Sequence, residues 1–501
     1  MASRAGAVLA LVCTAQFMVV LDVSVLNVAL PAVRDALGFA PGGEGLSWVV
    51  TAYALAFAGL LLPGGRLADL CGHRFAFTGG LTLFTAACLA GGLATTPGFL
   101  IAARAAQGVG AAVLAPATLT VLTTAFPEGP HRIRALAVWT AVSSVGGAAG
   151  NLLGGLLTET LSWRAVLLVN VPVGCAALLP ALRLLPGPRT APAAPGGAEV
   201  TGAASRTSDG SEGSDGDDGG RGTGAAVPAG ARPRLDVPGA LTVTVAMAAL
   251  TYGAGRTGDG SWRDPVTLSA LAAGVLALGL FALIEARWAP APLIPPRLLR
   301  RRTVAVGNTV VLLAGACLQI PVWYFLTFFM QDALGYSALR TGLGFLPHTL
   351  VGAAAGVWVT PRLMRRFAHR TLILWGAALC GAGFLWQSTV TADDGYLGGV
   401  LGPALVFSLG GAIFVTPATA VVTSGVAAED AGAASGLLNT AKQFGGALGL
   451  AALSAVAGPD GAAYGRVFAA MTLTLAVIAV LALALPRPRQ PRAPAAGAVS
   501  R

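Results

Sequence analysis

The hydrophobic positions of this chain form long runs, and most polar positions fall between them. Each run approaches the length of a helix that crosses the hydrocarbon core of a bilayer, about 20 residues. The fourteen runs, numbered here as spans 1 to 14, are 6–30, 46–63, 75–94, 99–125, 133–157, 165–185, 237–254, 266–286, 303–330, 341–360, 371–390, 397–422, 432–456 and 463–485. Backbone polar groups in lipid must be satisfied within their own segment, so the pattern predicts helices rather than strands.

Composition excludes the soluble classes of protein. The chain is 55% hydrophobic and 11% charged, with a mean hydropathy of +0.73. Soluble domains carry about 25% charged residues, and disorder requires low hydrophobicity with high net charge. The expected fold class is therefore an all-α polytopic membrane protein.

The basic residues predict orientation rather than nucleic-acid binding. The net charge is +10, and all but one of the 32 basic residues are arginines, most of them in loops. If both termini are cytoplasmic, the inside loops and tails hold 24 basic residues and the outside loops hold 6. This bias predicts a multi-pass protein of the cell (plasma) membrane with both termini in the cytoplasm and no nucleic-acid partner.

One segment differs from the rest of the chain. Residues 186–236 are rich in Pro, Gly, Ala, Ser and Asp and predict a disordered cytoplasmic linker. The predicted organisation is an N-terminal six-helix bundle (1–185), this linker, two inserted spans with an inner loop (237–302), a C-terminal six-helix bundle (303–485) and a basic cytoplasmic tail (486–501).

An internal repeat relates the two predicted bundles. The stretch from Gly65 to Arg74 aligns with residues 361–370, Ala115–Thr118 aligns with Thr416–Thr419, and Gly146-Gly147 aligns with Gly445-Gly446, at offsets of 296, 301 and 299. The offset corresponds to eight spans, so both halves have the same orientation. A parallel repeat of this kind is typical of transporters that alternate about a central site.

Several motifs occur in a fixed order along nearly the whole chain. They are Leu21-Asp22-Val23-Ser24-Val25-Leu26-Asn27-Val28-Ala29-Leu30-Pro31, Gly65-x3-Asp69-x2-Gly72-His73-Arg74, Arg104-Ala105-Ala106-Gln107-Gly108, Gly146-x3-Gly150-Asn151-x2-Gly154, Asn170-Val171-Pro172-Val173-Gly174 and Asn439-Thr440-Ala441-Lys442-Gln443. This ordered set resembles the major facilitator superfamily, specifically its fourteen-span drug:proton antiporters. The resemblance implies the major facilitator fold, with two six-helix bundles in parallel repeat and two extra inserted helices.

Asp22 is the leading candidate for proton coupling. A carboxylate within a span costs about 2.5–3.5 kcal/mol on insertion scales, and such groups are functional by default. Burial penalises the charged form, so protonation should respond to the side from which water reaches the group. The alternative is a carboxylate locked in a structural hydrogen bond.

Arg104 and Gln107 are the expected companions of Asp22. The resemblance implies that Arg104 faces the carboxylate and tunes its proton affinity, while a structural ion pair is the alternative. Gln107 lies one turn further along and is assigned to the substrate cavity.

The segment after span 2 is the candidate gate. The resemblance implies that Asp69 caps the N-terminus of span 13 when the inner side is closed, with Gly65, Gly72 and Arg74 as further gate residues. The chain departs from the family pattern at Leu70 and His73, which predicts a weaker or pH-sensitive latch.

Small residues in span 5 predict close helix packing. Gly146, Gly150 and Gly154 allow a neighbouring helix to approach. Asn151 stands where the family has Pro, which removes the expected kink; this residue is also assigned to the cavity.

The remaining candidates for the substrate cavity are Asn27, His348, Asn439 and Lys442. Lys442 is the only lysine of the chain and shares a helical face with Ser435, Asn439 and Gly446. It either lines the cavity or extends along the helix to water. For His348, a packing role is the more natural interpretation.

The predicted function is proton-coupled export of small amphipathic compounds such as antibiotics. A dedicated exporter of one endogenous metabolite, or a nutrient porter on the same fold, is the alternative; a membrane receptor or an intramembrane enzyme fits less well. No phosphate-binding loop, metal-ligand cluster or nucleophile–base motif occurs, so no cofactor, metal or catalytic residue is expected. The expected partners are a small-molecule substrate, protons and membrane lipid, and the chain is expected to be a monomer.

Overall fold

The computed structural model describes residues 2–39, 44–126, 129–185, 236–257, 264–288, 296–424, 426, 430–458 and 463–485. Within these ranges the regular structure is helical throughout, without a strand. The predicted linker, apart from Asp236, and the predicted basic tail lie outside the described residues.

One helix lies at each of the fourteen predicted spans. The first six are α1 (Ala2–Leu37), α2 (Glu44–Cys71), α3 (His73–Gly92), α4 (Pro97–Ala125), α5 (Pro130–Thr160) and α6 (Trp163–Leu184). The next two are α7 (Val237–Arg256) and α8 (Pro265–Leu283), with α8 continuing as a π-helical turn (Ile284–Trp288). The last six are α9 (Arg302–Ala333), α10 (Ala338–Met364), α11 (His369–Ser388), α12 (Leu397–Thr423), α13 (Ala431–Ala457) and α14 (Tyr464–Ala482). Two short pieces, Pro296–Leu299 and the 3-10 turn Ala392–Asp394, complete the described elements.

Twelve of these helices are long and apolar enough to cross a membrane by length and composition. The two helices outside this set are α7 and α13. The count of fourteen spans therefore stays a prediction, whereas the all-helical membrane architecture is confirmed.

Short polar residues set several helix starts. The side chains of Thr96, Asp236, Asp264 and Ser337 each accept a hydrogen bond from a backbone N–H in the first turn of α4, α7, α8 and α10. An N-cap of this kind satisfies a donor that the helix itself cannot.

Helix pairing repeats between the two halves. α1 packs on α5 as α9 packs on α13, α2 packs on α4 as α10 packs on α12, and α3 packs on α4 as α11 packs on α12. The inserted α7 lies against both α2 and α13, and α8 packs on α7. This pairing is the parallel repeat that the sequence predicts.

Glycines allow the helices that begin each half to approach their partners. A methyl group at Gly150 would stand 2.6 Å from Cβ of Ser24 on α1. In the second half, a methyl group at Gly445 would collide with the carbonyl of Leu312 on α9. The same small-residue packing therefore places α1 and α9 in their respective bundles.

The two halves meet along two seams. In the first, α5 meets α10, where Gly342 packs on the backbone of Asn151 and Gly155 packs on that of Ala338. In the second, α2 meets α13, where Thr440 Oγ1 donates to the carbonyl oxygen of Ala58 at 3.2 Å. Between these seams, α1 contacts the second part of α9.

Candidate functional site

Asp22 lies at the centre of a buried polar cluster. Its side chain is fully buried in the middle of α1. Oδ2 is 2.6 Å from Nη1 of Arg104 on α4. Oδ1 accepts hydrogen bonds from Gln107 Nε2 at 3.0 Å and from Asn170 Nδ2 at 3.1 Å. Three donors from two helices, α4 and α6, thus point at one carboxylate.

Arg104 is equally well enclosed. Its exposed fraction is 1%. Nη1 also donates to Gln107 Oε1 at 2.9 Å, and Nε donates to the carbonyl oxygen of Val49 at 3.1 Å. The guanidinium lies over the ring of Tyr53, 4.6 Å from its centroid. A buried cation needs this degree of compensation because an unpaired one is strongly unfavourable.

Helix geometry explains how α4 supplies two of the ligands. Arg104 and Gln107 are three residues apart and therefore project from the same face. The bond between their side chains holds the amide with its NH₂ towards Asp22. The result is a closed ring of Asp22, Arg104 and Gln107 in which the charges balance.

Three members of this cluster were not identified from the sequence. Asn170 was noted only as part of a motif at the start of span 6. Tyr53 and Cys88 were not singled out; the Cys88 sulfur is 2.8 Å from Gln107 Nε2. A buried amide such as Asn170 in an apolar span was the available signal, whereas an aromatic ring or a thiol in a span gives none.

The candidate cavity residues separate into buried and open positions. Asn27 and Asn151 are buried, with exposed fractions of 6% and 4%. Asn439 is exposed and donates from Nδ2 to the Ser435 carbonyl oxygen at 3.1 Å. Lys442 is half-buried. Asn439 and Lys442 therefore keep accessible surface, whereas Asn27 and Asn151 are enclosed by helix contacts.

His348 occupies an aromatic cage in the second half. Its ring stacks on Trp323, with centroids 5.4 Å apart, and meets Phe345 and Phe407 edge-on, each at 5.7 Å. Nδ1 lies 3.0 Å from Ser408 Oγ. The surroundings are those of a packed histidine.

The candidate gate residues lie at the junction of α2 and α3. Gly72 separates the two helices at φ +90°, a conformation that glycine adopts without strain. Gly65 packs near Pro116, and Arg74 Nη2 donates to the Leu182 carbonyl oxygen at 2.8 Å, which ties the junction to α6. The side chain of Asp69 lies outside the described residues, so its implied contact with α13 stays a prediction.

The glycines of α5 line its contact with α1. Gly146 packs near Phe17, Gly150 near Ser24, and Gly154 on the backbone of Val25. α5 runs unbroken through Asn151 as one helix of 31 residues. Within the described residues, no group of three or more His, Cys, Asp or Glu side chains is placed to hold a metal ion.

A parallel helical repeat about a buried charge pair defines a polytopic membrane transporter. The sequence profile of the Major Facilitator Superfamily matches residues 12–450. The chain belongs to this superfamily, and it is a transporter of small molecules rather than an enzyme. The resemblance stated from the motifs is thereby confirmed.

Several relatives are named for antibiotic export or antibiotic resistance. The chain is 52% identical to the cephamycin export protein of Amycolatopsis lactamdurans, over 91% of this chain and 86% of the relative. It is 39% identical to the puromycin resistance protein of Streptomyces alboniger, over 91% and 82%, and 31% identical to the lincomycin resistance protein of Streptomyces lincolnensis, over 87% and 81%.

Two solved structures share the fold. A peptide transporter crystallised with sulfate superposes with a TM-score of 0.64 at 14% identity, over 95% of this chain and 94% of the other. The human organic anion transporter superposes with a TM-score of 0.56 at 15% identity, over 95% and 99%. At these identities the likeness shows the fold alone.

Proposed function

We propose that this protein exports a small amphipathic antibiotic in exchange for protons. The names of its relatives support the cargo, since export of cephamycin and resistance to puromycin and lincomycin all involve small antibiotics. The observation that carries the proton step is the Asp22–Arg104 pair. We place the protein in the plasma membrane as a monomer surrounded by lipid, with both termini in the cytoplasm.

The proton step follows from the closed ring around Asp22. In this conformation three donors, from Arg104, Gln107 and Asn170, point at the carboxyl group. Protonation removes the charge that holds Arg104, so the guanidinium must find another partner or water. A proton can therefore be exchanged for a rearrangement of α1 against α4, which is the coupling that an antiporter requires.

Contacts at one end of the bundle support alternating access. Where α1 and α9 end, Arg34 Nη1 is 2.6 Å from Asp332 Oδ2, and Gln331 Nε2 donates to the Val28 carbonyl oxygen at 2.9 Å. Beside them, Leu339 N donates to Glu159 Oε2 at 3.0 Å. These contacts join the two halves at this end, whereas Ser435 and Asn439 are exposed towards the opposite end. With cytoplasmic termini, this is an inward-open arrangement.

The free energy of proton entry is sufficient to drive export against a concentration gradient. One proton moving through 100 mV releases about 2.3 kcal/mol. A free energy of that size supports a concentration ratio of roughly tenfold to a hundredfold.

Inverted membrane vesicles provide the direct test. Vesicles that contain the protein should accumulate cephamycin, puromycin or lincomycin when an inside-acid pH gradient is imposed. They should lose the gradient faster when the drug is present. Uptake that is equal with and without the gradient, and unaffected by protonophores, would refute proton coupling.

A dedicated exporter of one compound is the second candidate. The relative at 52% identity is named for one antibiotic, which favours a narrow range of cargo. A susceptibility panel on cells with and without the gene separates the two. A shift for many unrelated drugs supports a multidrug exporter, and a shift for one chemical class supports the dedicated one.

A further inference from the structure

One face of α13 is polar and accessible. Ser435, Asn439 and Lys442 are spaced by four and three residues and therefore lie on one side of the helix. Ser435 and Asn439 are exposed, Lys442 is half-buried, and Gly446 one turn later is buried. Exposure thus decreases with depth, as it does along the wall of a cleft that opens at the N-terminal end of α13.

The cleft ends where α13 meets α9. A methyl group at Gly446 would stand 2.9 Å from Ile320 Cδ1, and Gly315 packs on the backbone of Lys442. α9 is interrupted at Gln319 and Ile320, directly before Pro321. Lys442 therefore lies at the floor of the cleft, beside a break in the facing helix, and not on a surface turned to lipid.

Lys442 is too deep to reach bulk water at the end of its own helix. It is eleven residues from the first residue of α13, which corresponds to about 16 Å along the axis. A lysine side chain extends less than half that distance. Extension to the membrane surface, the alternative role of an intramembrane lysine, is thus excluded by geometry.

The ammonium group has no counter-charge in the described part of the chain. No described side chain or carbonyl forms a hydrogen bond or an ion pair with it. The intramembrane carboxylate of Asp22 is already neutralised by Arg104. Asp332 is paired with Arg34, and Glu159 accepts a hydrogen bond at the end of α5. Among the residues that the structure describes, Lys442 is consequently a positive charge without a partner in this cleft.

An uncompensated cation at this depth is costly to retain. Insertion scales give about 2.5–3.5 kcal/mol for a lysine at the centre of a span. An anion that enters the cleft recovers part of this energy because a charge-assisted contact is stronger where water is scarce. The cleft therefore favours a ligand that brings a negative charge.

We propose that Lys442, together with the amide of Asn439, is a binding site for the carboxylate of an exported organic acid. This inference rests on the proposed export function and specifies its substrate class. The ammonium provides the charge, and the amide at one turn's distance provides a neutral donor. An ester or amide of the same molecule lacks the group that the site recognises.

A matched pair of ligands tests the site. Cephamycin carries carboxylic acid groups, and the compound methylated at each of them is the matched ligand without a carboxylate. We would measure transport of both into inverted vesicles, and equilibrium binding of both to the purified full-length protein. The wild type should prefer the acid, and Lys442→Gln should lower the acid-to-ester ratio about tenfold in both measurements. Lys442→Arg should retain most of the preference.

Controls separate charge from folding. Arg183→Gln removes one exposed cation near the end of α6 and should leave the acid-to-ester ratio unchanged. Retained binding of the ester shows that Lys442→Gln is folded. An unchanged acid-to-ester ratio in Lys442→Gln would overturn the anion site while export stands. If the wild type transports neither compound but binds the acid through Lys442, the export function fails and the site stands.

Discussion

The two halves of the molecule differ in whether their intramembrane charges have a counter-charge. In the first half, Asp22 and Arg104 neutralise each other inside a ring of hydrogen bonds. In the second half, His348 is enclosed by aromatic rings, and Lys442 has no counter-charge among the described residues. A balanced pair can respond to one proton, whereas an unbalanced cation can select a ligand. The repeat of the fold thus supports two different tasks.

The largest expected effect comes from removing one charge of the Asp22–Arg104 pair in the first half. Asp22→Asn leaves Arg104 buried without a counter-charge, which typically costs about 3–5 kcal/mol of stability. Proton-driven transport in vesicles should be abolished. Wild-type transport by this variant would remove Asp22 from the mechanism.

The double variant Asp22→Asn with Arg104→Gln separates coupling from stability. Removing both charges should recover most of the thermal stability measured in detergent. It should not recover transport driven by a pH gradient. Recovery of coupled transport would mean that the pair is only structural.

The next largest effect is expected from substitutions that compare the α1–α5 contact of the first half with the α9–α13 contact of the second. Gly445→Ala introduces a methyl group against the α9 backbone, and overpacking of this kind costs about 1–3 kcal/mol. Gly150→Ala at the α1–α5 contact should have a comparable effect on thermal unfolding. Gly79→Ala, where no atom lies within 4 Å of the new methyl group, is the control and should be neutral. A large difference between the first two variants would contradict equivalent packing.

A smaller effect is expected at the aromatic cage. Ser408→Ala removes the hydroxyl beside His348 Nδ1 and should cost about 1 kcal/mol of stability. The pH profile of transport should not move, because His348 is a packing residue in this interpretation. A displaced profile would instead make His348 part of the proton path.

The smallest stability effect is expected at the contact between the halves. The Arg34–Asp332 pair is partly exposed, and such pairs contribute about 0–1 kcal/mol. Asp332→Asn should therefore change the free energy of unfolding very little. It should alter the transport rate by up to about fivefold, because the pair joins the two halves at the closed end and its loss shifts the equilibrium between closed and open conformations there. The exchange variant Arg34→Asp with Asp332→Arg should restore the rate. Failure of the exchange would show that the pair does not act through its charge.

The sequence predicted some site contacts and missed others for physical reasons. Arg104 and Gln107 were singled out because charged and amide groups in apolar spans are conspicuous, and the family resemblance implied that Arg104 faces Asp22. Tyr53 and Cys88 were missed because such side chains occur in spans without any polar role. His348 was named as a cavity candidate with packing as the more natural role, and the structure surrounds it with aromatic rings and leaves 1% of it exposed.

The sequence by itself determined the class of protein and the order of its helices. Span length, arginine distribution and repeated motifs are local properties that can be counted along the chain. Only the tertiary structure decided which buried groups meet, because Asp22 and Asn170 are 148 positions apart and their contact depends on how α1 packs on α6. The same is true of Lys442, since only three-dimensional packing decides that no described carboxylate lies beside it.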